Sequence, residues 1–343
     1  MRFIATAQEK FAGTAERELL GADPHGQVVQ RFPDGVFLFE SSFDRPGFLG
    51  ALRAHPPVFA RHVQPVETET TLPSGDSAPA EISRSCADLF DESIRGLRVA
   101  VQVRQTPGEK RFSDYAVKER LDPLISAAGA EPAVQDPDRI VSVFIVRNPG
   151  TVYCGLSAPS ENLNPWSGGV VRFFKDPNSV SRAESKLLEA MKLGFLSVRD
   201  GQRALDLGAA PGGWTRVLQG KGCSVTAVDP AELDRAVSNL DQVTHVRCDA
   251  NQFRPQGSFD LITDDMNWEA FRSAKVLKRL TVSLQPRGSF LMTIKLGSED
   301  PAQLLPKITR LLEPGLTVTG IRQLYHNRGE VTAWGLRPCQ VIT

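Results

Sequence analysis

The sequence has few of the features that mark several large classes of protein. Its five cysteines are scattered and include no CxxC pair, which argues against a zinc site and a disulfide framework, so reduced thiols are expected. No apolar run approaches the ~20 residues that a membrane helix needs. The first residues lack the apolar segment of a signal peptide. A soluble, cytoplasmic protein with no membrane partner is therefore expected.

Neither sign of charge is in excess. Lysine plus arginine number 40 and aspartate plus glutamate also number 40, so the formal net charge is zero. Bulk charge therefore does not indicate a nucleic-acid partner, and any contact with RNA would have to come from local patches. The length of 343 residues and the 41% hydrophobic content allow two or three domains with substantial cores.

One stretch in the second half of the chain has a clear supersecondary pattern. A short apolar strand over 203–207 runs into the glycine-rich turn GAAPGG, which begins at Gly208. A helix over 214–219 follows, and a second strand over 224–228 runs into Asp229. This order of strand, loop, helix, strand and acid predicts the opening unit of a doubly wound α/β sheet.

The same stretch predicts a ligand. Gly208, Gly212 and Gly213 would let the main chain approach it closely, and the helix start offers free N–H groups. Asp229, at the tip of the second strand, is placed to accept hydrogen bonds from a ribose. The loop is neither the GxGxxG dinucleotide fingerprint nor a Walker A loop, so NAD is a poor candidate.

The motif LDLGAAPGGWT resembles motif I of the FtsJ-type RNA ribose 2'-O-methyltransferases. Taken whole, the chain resembles the THUMP-containing, RlmM-like members of that family, which act on large-subunit ribosomal RNA. The resemblance implies a C-terminal Rossmann-like domain of the class I S-adenosylmethionine-dependent methyltransferases. It also implies S-adenosylmethionine as cofactor, a cytidine of 23S ribosomal RNA as substrate, and no metal. Asp249 would lie near the adenine, and the implied cofactor-binding residues are Gly208, Ala209, Pro211, Gly212, Gly213, Trp214, Asp229, Asp249 and Asp265.

The resemblance further implies a catalytic set of two lysines and two acids: Lys186, Asp265, Lys295 and Glu330. These residues come from four separated segments that would converge at one sheet edge. Lys295 would take the proton of the ribose hydroxyl, with Asp265 orienting it. The family pattern has Met directly after the acid, which favours Asp265 over its neighbour Asp264. The doubled acid stays ambiguous, because alternation along a strand puts the two side chains on opposite faces.

The rest of the chain predicts two smaller α+β modules. Residues 1–60 follow a β-α-β-β-α order that suits a ferredoxin-like module, and 171–343 form the methyltransferase domain. Residues 61–170 follow an α-β-α-β-β order and resemble a THUMP domain, an RNA-binding module. Basic residues of that module would either contact phosphate or form a solvated face: Lys110, Arg111, Lys118 and Arg120.

Further elements are predicted along both parts of the chain. In the first 170 residues they include helices over 11–20, closed by Gly21, and over 80–95. In the last domain they include helices over 181–193 and 269–284, and strands over 243–247, 259–263, 289–294 and 318–324. Two other functions remain open, namely the same chemistry on transfer RNA and a non-catalytic RNA-binding or ribosome-assembly protein that kept the fold. An intact catalytic set argues against the second.

Overall fold

The computed structural model describes residues 1–174 and 176–339. The chain divides into two compact units, Met1–Val171 and Arg172–Thr343, which are described separately. The division into three domains at 60 and 170 stays a prediction. Within the described ranges, no helix combines the length and the apolar character that a membrane crossing requires.

The first unit opens with a four-stranded antiparallel sheet of order β2-β3-β1-β4. Its hairpin turns through the three residues 33–35, of which Asp34 and Gly35 have positive φ. The first helix does not end at Gly21 as expected but at Ala22. The cap residue Asp23 is fully buried, and its carboxylate accepts hydrogen bonds from the serines at 41 and 42. The elements are β1 Arg2–Thr6, α1 Ala12–Ala22, β2 Gln27–Phe32, β3 Val36–Glu40, α2 Arg45–Ala54 and β4 His62–Val66.

The first unit continues into a five-stranded mixed sheet of order β5-β9-β8-β6-β7, with two helices packed against it. The helix predicted over 80–95 ends at Ala87. Asp91 then accepts the N–H of Ser93 and starts a separate 3-10 turn over Glu92–Ile94. The elements are β5 Thr68–Thr71, α3 Ala78–Ala87, β6 Arg98–Gln105, α4 Asp114–Ala127, β7 Glu131–Ala133, β8 Arg139–Val146 and β9 Thr151–Ser157.

Two details of this sheet bear on the sequence analysis. Cys86 on α3 and Cys154 on β9 form a disulfide in the core, so the expectation of reduced thiols is wrong for this pair. On the surface, Lys110 and Lys118 each pair with an aspartate four residues further on. These two lysines are thus partly neutralised within the chain, which favours the solvated face for them.

The second unit is built on a seven-stranded sheet of order β12-β11-β10-β13-β14-β16-β15. All of its strands run parallel except β16, which is antiparallel to both of its neighbours. This is the doubly wound α/β architecture expected from the sequence. The strands are β10 Arg203–Leu207, β11 Ser224–Val228, β12 Val243–Val246, β13 Phe259–Asp264, β14 Leu284–Lys295, β15 Thr317–Arg322 and β16 Glu330–Leu336, and the helices are α5 Glu184–Lys192, α6 Gly213–Gln219, α7 Arg235–Ser238, α8 Ala270–Leu280 and α9 Pro301–Leu312.

The strand–loop–helix–strand unit has the predicted bounds at both strands. The helix predicted over 269–284 is shorter, because the chain makes a 3-10 turn over Thr281–Ser283 and Leu284 already begins β14. Helix α9 was not predicted. Its signals are present in the sequence, since Asp300 caps the helix through the N–H of Ala302 and Pro301 occupies the first position.

Candidate active site

The carboxyl ends of β10 to β14 meet at one edge of the second sheet, and the loop after β10 lies at this edge. Gly208 has φ 74° and Gly212 has φ 113°, both in the region that favours glycine. A Cβ on Gly208 would lie 2.8 Å from the Cα of Met266, and one on Gly212 would lie 2.7 Å from a methyl carbon of Val237. The sequence analysis assigned these glycines to close approach of a ligand. The atoms closest to a Cβ at these glycines belong to Met266 and Val237 and not to a ligand. Packing of the loop against the protein therefore already requires glycine at these two positions.

The predicted cofactor residues Gly213 and Trp214 begin α6 and pack against the start of α5. A Cβ on Gly213 would lie 2.8 Å from the Cβ of Ser181. The Trp214 side chain is 3% exposed, and its indole N–H donates to the carbonyl of Ala183 over 2.7 Å. Any contact of Trp214 with a ligand would therefore be through its main chain, while its ring fixes the beginning of α5.

Two half-buried aspartates follow the neighbouring strands β11 and β12. Asp229 accepts hydrogen bonds from the N–H groups of Ala210, at 3.1 Å, and Ala231, at 2.8 Å. It therefore ties the loop after β10 to the end of β11. Asp249 accepts the N–H of Asn251 and, at 3.2 Å, a guanidinium N–H of Arg272.

These carboxylates and the N–H groups of the loop fit the adenosine part of S-adenosylmethionine. Carboxylates at adjacent strand ends, Asp229 and Asp249, match hydrogen-bond donors on a ribose and an adenine amino group, and the loop N–H groups lie beside them. In the described part of the chain, no group of three or more His, Cys, Asp or Glu residues could hold a metal ion.

The four residues of the predicted catalytic set come together at the same edge. Lys186 Nζ lies 2.7 Å from Asp265 Oδ1 and 3.4 Å from Glu330 Oε1, and Lys295 Nζ lies 3.3 Å from the same Asp265 oxygen. The side chains of Lys186, Asp265 and Glu330 are 10–13% exposed, and that of Lys295 is 22% exposed. Two cations and two anions thus form one compact and largely dehydrated cluster.

The fold explains why these distant residues meet. Lys295 is the last residue of β14 and Glu330 the first of β16, and the antiparallel register pairs them directly. Asp265 follows the last residue of β13, the parallel neighbour of β14. Lys186 lies in the first turn of α5, which begins at Glu184 and not at the predicted Ser181. Glu184 accepts the N–H groups at 180 and 181, and this bonding fixes the entry to the helix.

The two adjacent acids have different surroundings. Asp264 is fully buried, accepts the N–H of Met266 at 3.0 Å and bonds the hydroxyl of Ser273 at 2.6 Å. Burial raises the pKa of Asp264 to about 7. Asp265 instead contacts both lysines, so the geometry favours Asp265 over Asp264 as the acid of the cluster.

Sequence reasoning missed a second buried acid beneath the site. Asp206 on β10 is 1% exposed and bonds the hydroxyls of Thr215, at 2.7 Å, and Thr263, at 2.9 Å. Burial raises the pKa of Asp206 to about 7. The signal was available, because an aspartate inside an otherwise apolar strand needs buried partners.

Glu189 is a further residue that sequence reasoning missed. It lies one turn after Lys186 on α5 and is 1% exposed. Its carboxylate accepts the N–H groups of Tyr325, at 2.7 Å, and His326, at 3.0 Å, and contacts His326 Nδ1 at 2.6 Å. One helix therefore carries both a lysine of the cluster and the anchor of the loop that leads to Glu330.

Comparison with known proteins agrees with this geometry. An FtsJ-like methyltransferase family model matches residues 179–295. The chain is 30% identical over 294 residues to a ribosomal RNA large subunit methyltransferase M of Azoarcus sp., covering 81% of this chain and 78% of the relative. It is 27% identical over 341 residues to the protein of the same name from Thauera aminoaromatica, covering 93% and 89%. Among solved structures, TrmN from Thermus thermophilus aligns with 98% of this chain and 100% of its own, at 17% identity and a TM-score of 0.40, which is too distant to transfer any property.

The α/β sheet, the loop after β10 and the FtsJ-like match define an S-adenosylmethionine-dependent methyltransferase. Within that class, the chain belongs to the ribosomal RNA large subunit methyltransferase M family.

Proposed function

We propose that this enzyme transfers the methyl group of S-adenosylmethionine to a ribose 2'-oxygen of large-subunit ribosomal RNA. The observation that carries the proposal is the position of Asp265 between Lys186 and Lys295, with Glu330 completing the cluster. A ribose hydroxyl is a poor nucleophile, so a group that removes its proton is the main chemical requirement.

The cofactor side has a binding role. When bound, S-adenosylmethionine supplies a methyl group on a positively charged sulfonium. Asp229 would hold its ribose hydroxyls and Asp249 its adenine amino group, and the main chain of 208–214 would line the remainder of the site. These groups orient the donor and need not change protonation during the reaction.

The acceptor side moves the proton. Within 1–174 and 176–339, Lys186 forms ion pairs with two carboxylates and Lys295 with one, and Lys295 is the most exposed of the four side chains. Lys295 is therefore the amine that the substrate can reach, and in its neutral form it accepts the 2'-hydroxyl proton. Asp265 fixes the direction of Lys295, and Glu330 holds either the hydroxyl or Lys186.

The first unit supplies affinity for RNA. Its β1-α1-β2-β3-α2-β4 order with sheet order β2-β3-β1-β4 supports a ferredoxin-like module, whose last strand β4 carries it from the predicted boundary at 60 to Val66. The residues that follow, up to 170, are then the THUMP-type module and 171–343 the methyltransferase domain. A cytidine of 23S ribosomal RNA in the cytoplasm is the proposed target, and the names of the relatives support the large-subunit ribosomal RNA in this proposal.

Mapping of 2'-O-methyl marks tests the proposal. In cells that lack the protein, one mark on large-subunit ribosomal RNA should disappear and return when the wild-type gene is restored. A Lys295→Ala copy serves as the matched control and should not restore it. Loss of a mark on transfer RNA instead would support the alternative substrate, and an unchanged methylation map would contradict the catalytic proposal.

A further inference from the structure

A cavity of about 530 Å³ lies at the start of α5, next to the acceptor side of the site. Its lining includes Ser185, the residue before Lys186, and His326, four residues before Glu330. No step of the proposed reaction uses this cavity. Because Ser185 and His326 lie close in sequence to Lys186 and Glu330, the cavity is located where the RNA chain would extend beyond the reacting ribose.

Aromatic rings form one side of this cavity. Phe173 and His326 line it with their rings 5.5 Å apart, and Tyr325, which is not part of the lining, packs edge-on against His326 at 5.1 Å. Phe174 also lines the cavity, and its side chain is fully exposed. Glu189 accepts the main-chain N–H groups of Tyr325 and His326, and these hydrogen bonds hold the loop that carries the His326 ring.

The charged side chains of the lining are two arginines, which have different surroundings, and two carboxylates, Asp176 and Glu184. Arg216 is neutralised by Glu184 and by Asp176 at 2.8 Å. Arg182 is exposed and forms no ion pair with any residue in 1–174 or 176–339. Of the two arginines of the lining, Arg182 is therefore the one that is left to pair with an anion beside the aromatic rings.

We propose that this cavity binds an unstacked nucleotide of the RNA substrate, next to the nucleotide that is methylated. Its base packs on the aromatic side that includes Phe174, and its phosphate pairs with Arg182. Single-stranded RNA is recognised by this combination of stacking platforms and basic groups. The inference rests on the proposed function, because it takes the substrate to be RNA.

Binding of a fluorescein-labelled, single-stranded ten-nucleotide RNA to the full-length protein tests the cavity directly. Phe174→Ala and Arg182→Ala should each weaken binding by roughly tenfold, as expected for the loss of one stacking or one phosphate contact. Only Arg182→Ala should also lower the dependence of binding on salt, by about one phosphate contact. Phe174→Tyr should bind like the wild type.

Arg310→Ala, on the exposed side of α9, is the matched control and should stay within twofold of the wild type. The KM for unmodified large-subunit ribosomal RNA made by in vitro transcription should rise with the oligonucleotide Kd. The Kd for S-adenosylmethionine, measured by calorimetry, should not change.

Two results would overturn the inference. One is RNA binding by both variants within twofold of the wild type. The other is an equal loss of cofactor affinity in Arg182→Ala, which would assign the cavity to the cofactor site. Failure of the proposed function is distinguishable, since it would appear as a wild type that methylates no ribosomal RNA, while oligonucleotide binding still reports on the cavity.

Discussion

The cofactor side and the acceptor side of the sheet edge are built in different ways. Apart from Asp265, which belongs to both sides, the cofactor side comes from one continuous stretch, 208–249, and Asp229 and Asp249 accept N–H groups of that stretch and of the adjoining Asn251. The acceptor side joins residues 30, 79 and 144 positions apart through ion pairs. The first side depends on local chain geometry. The second depends on the order of the strands, above all on the reversed strand that brings Glu330 opposite Lys295.

The largest effect is expected on the acceptor side, from replacing the residue proposed to take the proton. Lys295→Ala should lower the rate of methyl transfer by about 10²- to 10⁴-fold, because the loss of a general base has that range. Cofactor affinity should stay nearly unchanged, since the lysine acts on the acceptor. Lys295→Arg should fail as well, because guanidinium stays protonated at any usable pH.

Single-turnover methylation of ribosomal RNA measures the Lys295 rate, and calorimetry measures cofactor binding. A Lys295→Ala enzyme with near-normal turnover would remove the proposed base while leaving the fold and the cofactor assignment intact.

A smaller effect is expected on the cofactor side. Asp229→Ala should weaken S-adenosylmethionine binding by about 10- to 100-fold, because a charged acceptor for ribose hydroxyls is lost at ~1.5–3 kcal/mol. The loop at Ala210 also loses its tie to β11. Asp229→Asn keeps the shape of the side chain and one acceptor oxygen, so its cofactor affinity should lie between those of Asp229→Ala and the wild type. Equal cofactor affinity in Asp229→Ala and the wild type would contradict the predicted ribose contact.

Replacing Glu189 tests whether the acceptor side needs the buried hydrogen bonds that hold the loop before Glu330. Glu189→Gln turns one acceptor into a donor that faces N–H groups at 325 and 326, so the loop before Glu330 should loosen. A rate loss of about tenfold with unchanged cofactor affinity is expected. Replacing the exposed Glu299 by Gln controls for the change of charge. Loss of cofactor binding together with rate would show general damage to the unit instead.

The local elements of the cofactor side could be predicted from the sequence, whereas the roles of the individual site residues stay predictions. The strands Arg203–Leu207 and Ser224–Val228 were predicted at their exact bounds, because glycine turns mark strand ends locally. The pairing of Lys295 with Glu330 could not be derived from local patterns, since it depends on strand order. The support from Glu189 was also hidden, because a glutamate in a helix normally indicates a solvated surface. The four residues of the predicted catalytic set came from the resemblance to a family, and the strand order explains why they lie close together.

The smallest expected effect concerns Asp264, the neighbour of the proposed catalytic acid. Asp264→Asn should keep most of the activity, because the amide can still accept the N–H of Met266 and donate to the hydroxyl of Ser273. Asp265→Asn should be severely impaired, because both lysines lose a charged partner. Methylation rates of the two variants, measured side by side, resolve the doubled acid. Equal damage in both would contradict the separate roles.

The stability of Asp264→Asn should also depend on pH differently from that of the wild type. The pKa of buried Asp264 is raised from 3.8 to about 7, so the folded state holds its proton more tightly than the unfolded state does. Its contribution to stability is fully present below pH 3.8 and is lost as pH rises through about 7. Asp206 acts in the same direction, since its pKa is also about 7. The thermal midpoint of Asp264→Asn should therefore fall less between pH 5 and pH 8 than that of the wild type, and a parallel fall in both proteins would show that Asp264 does not titrate in this range.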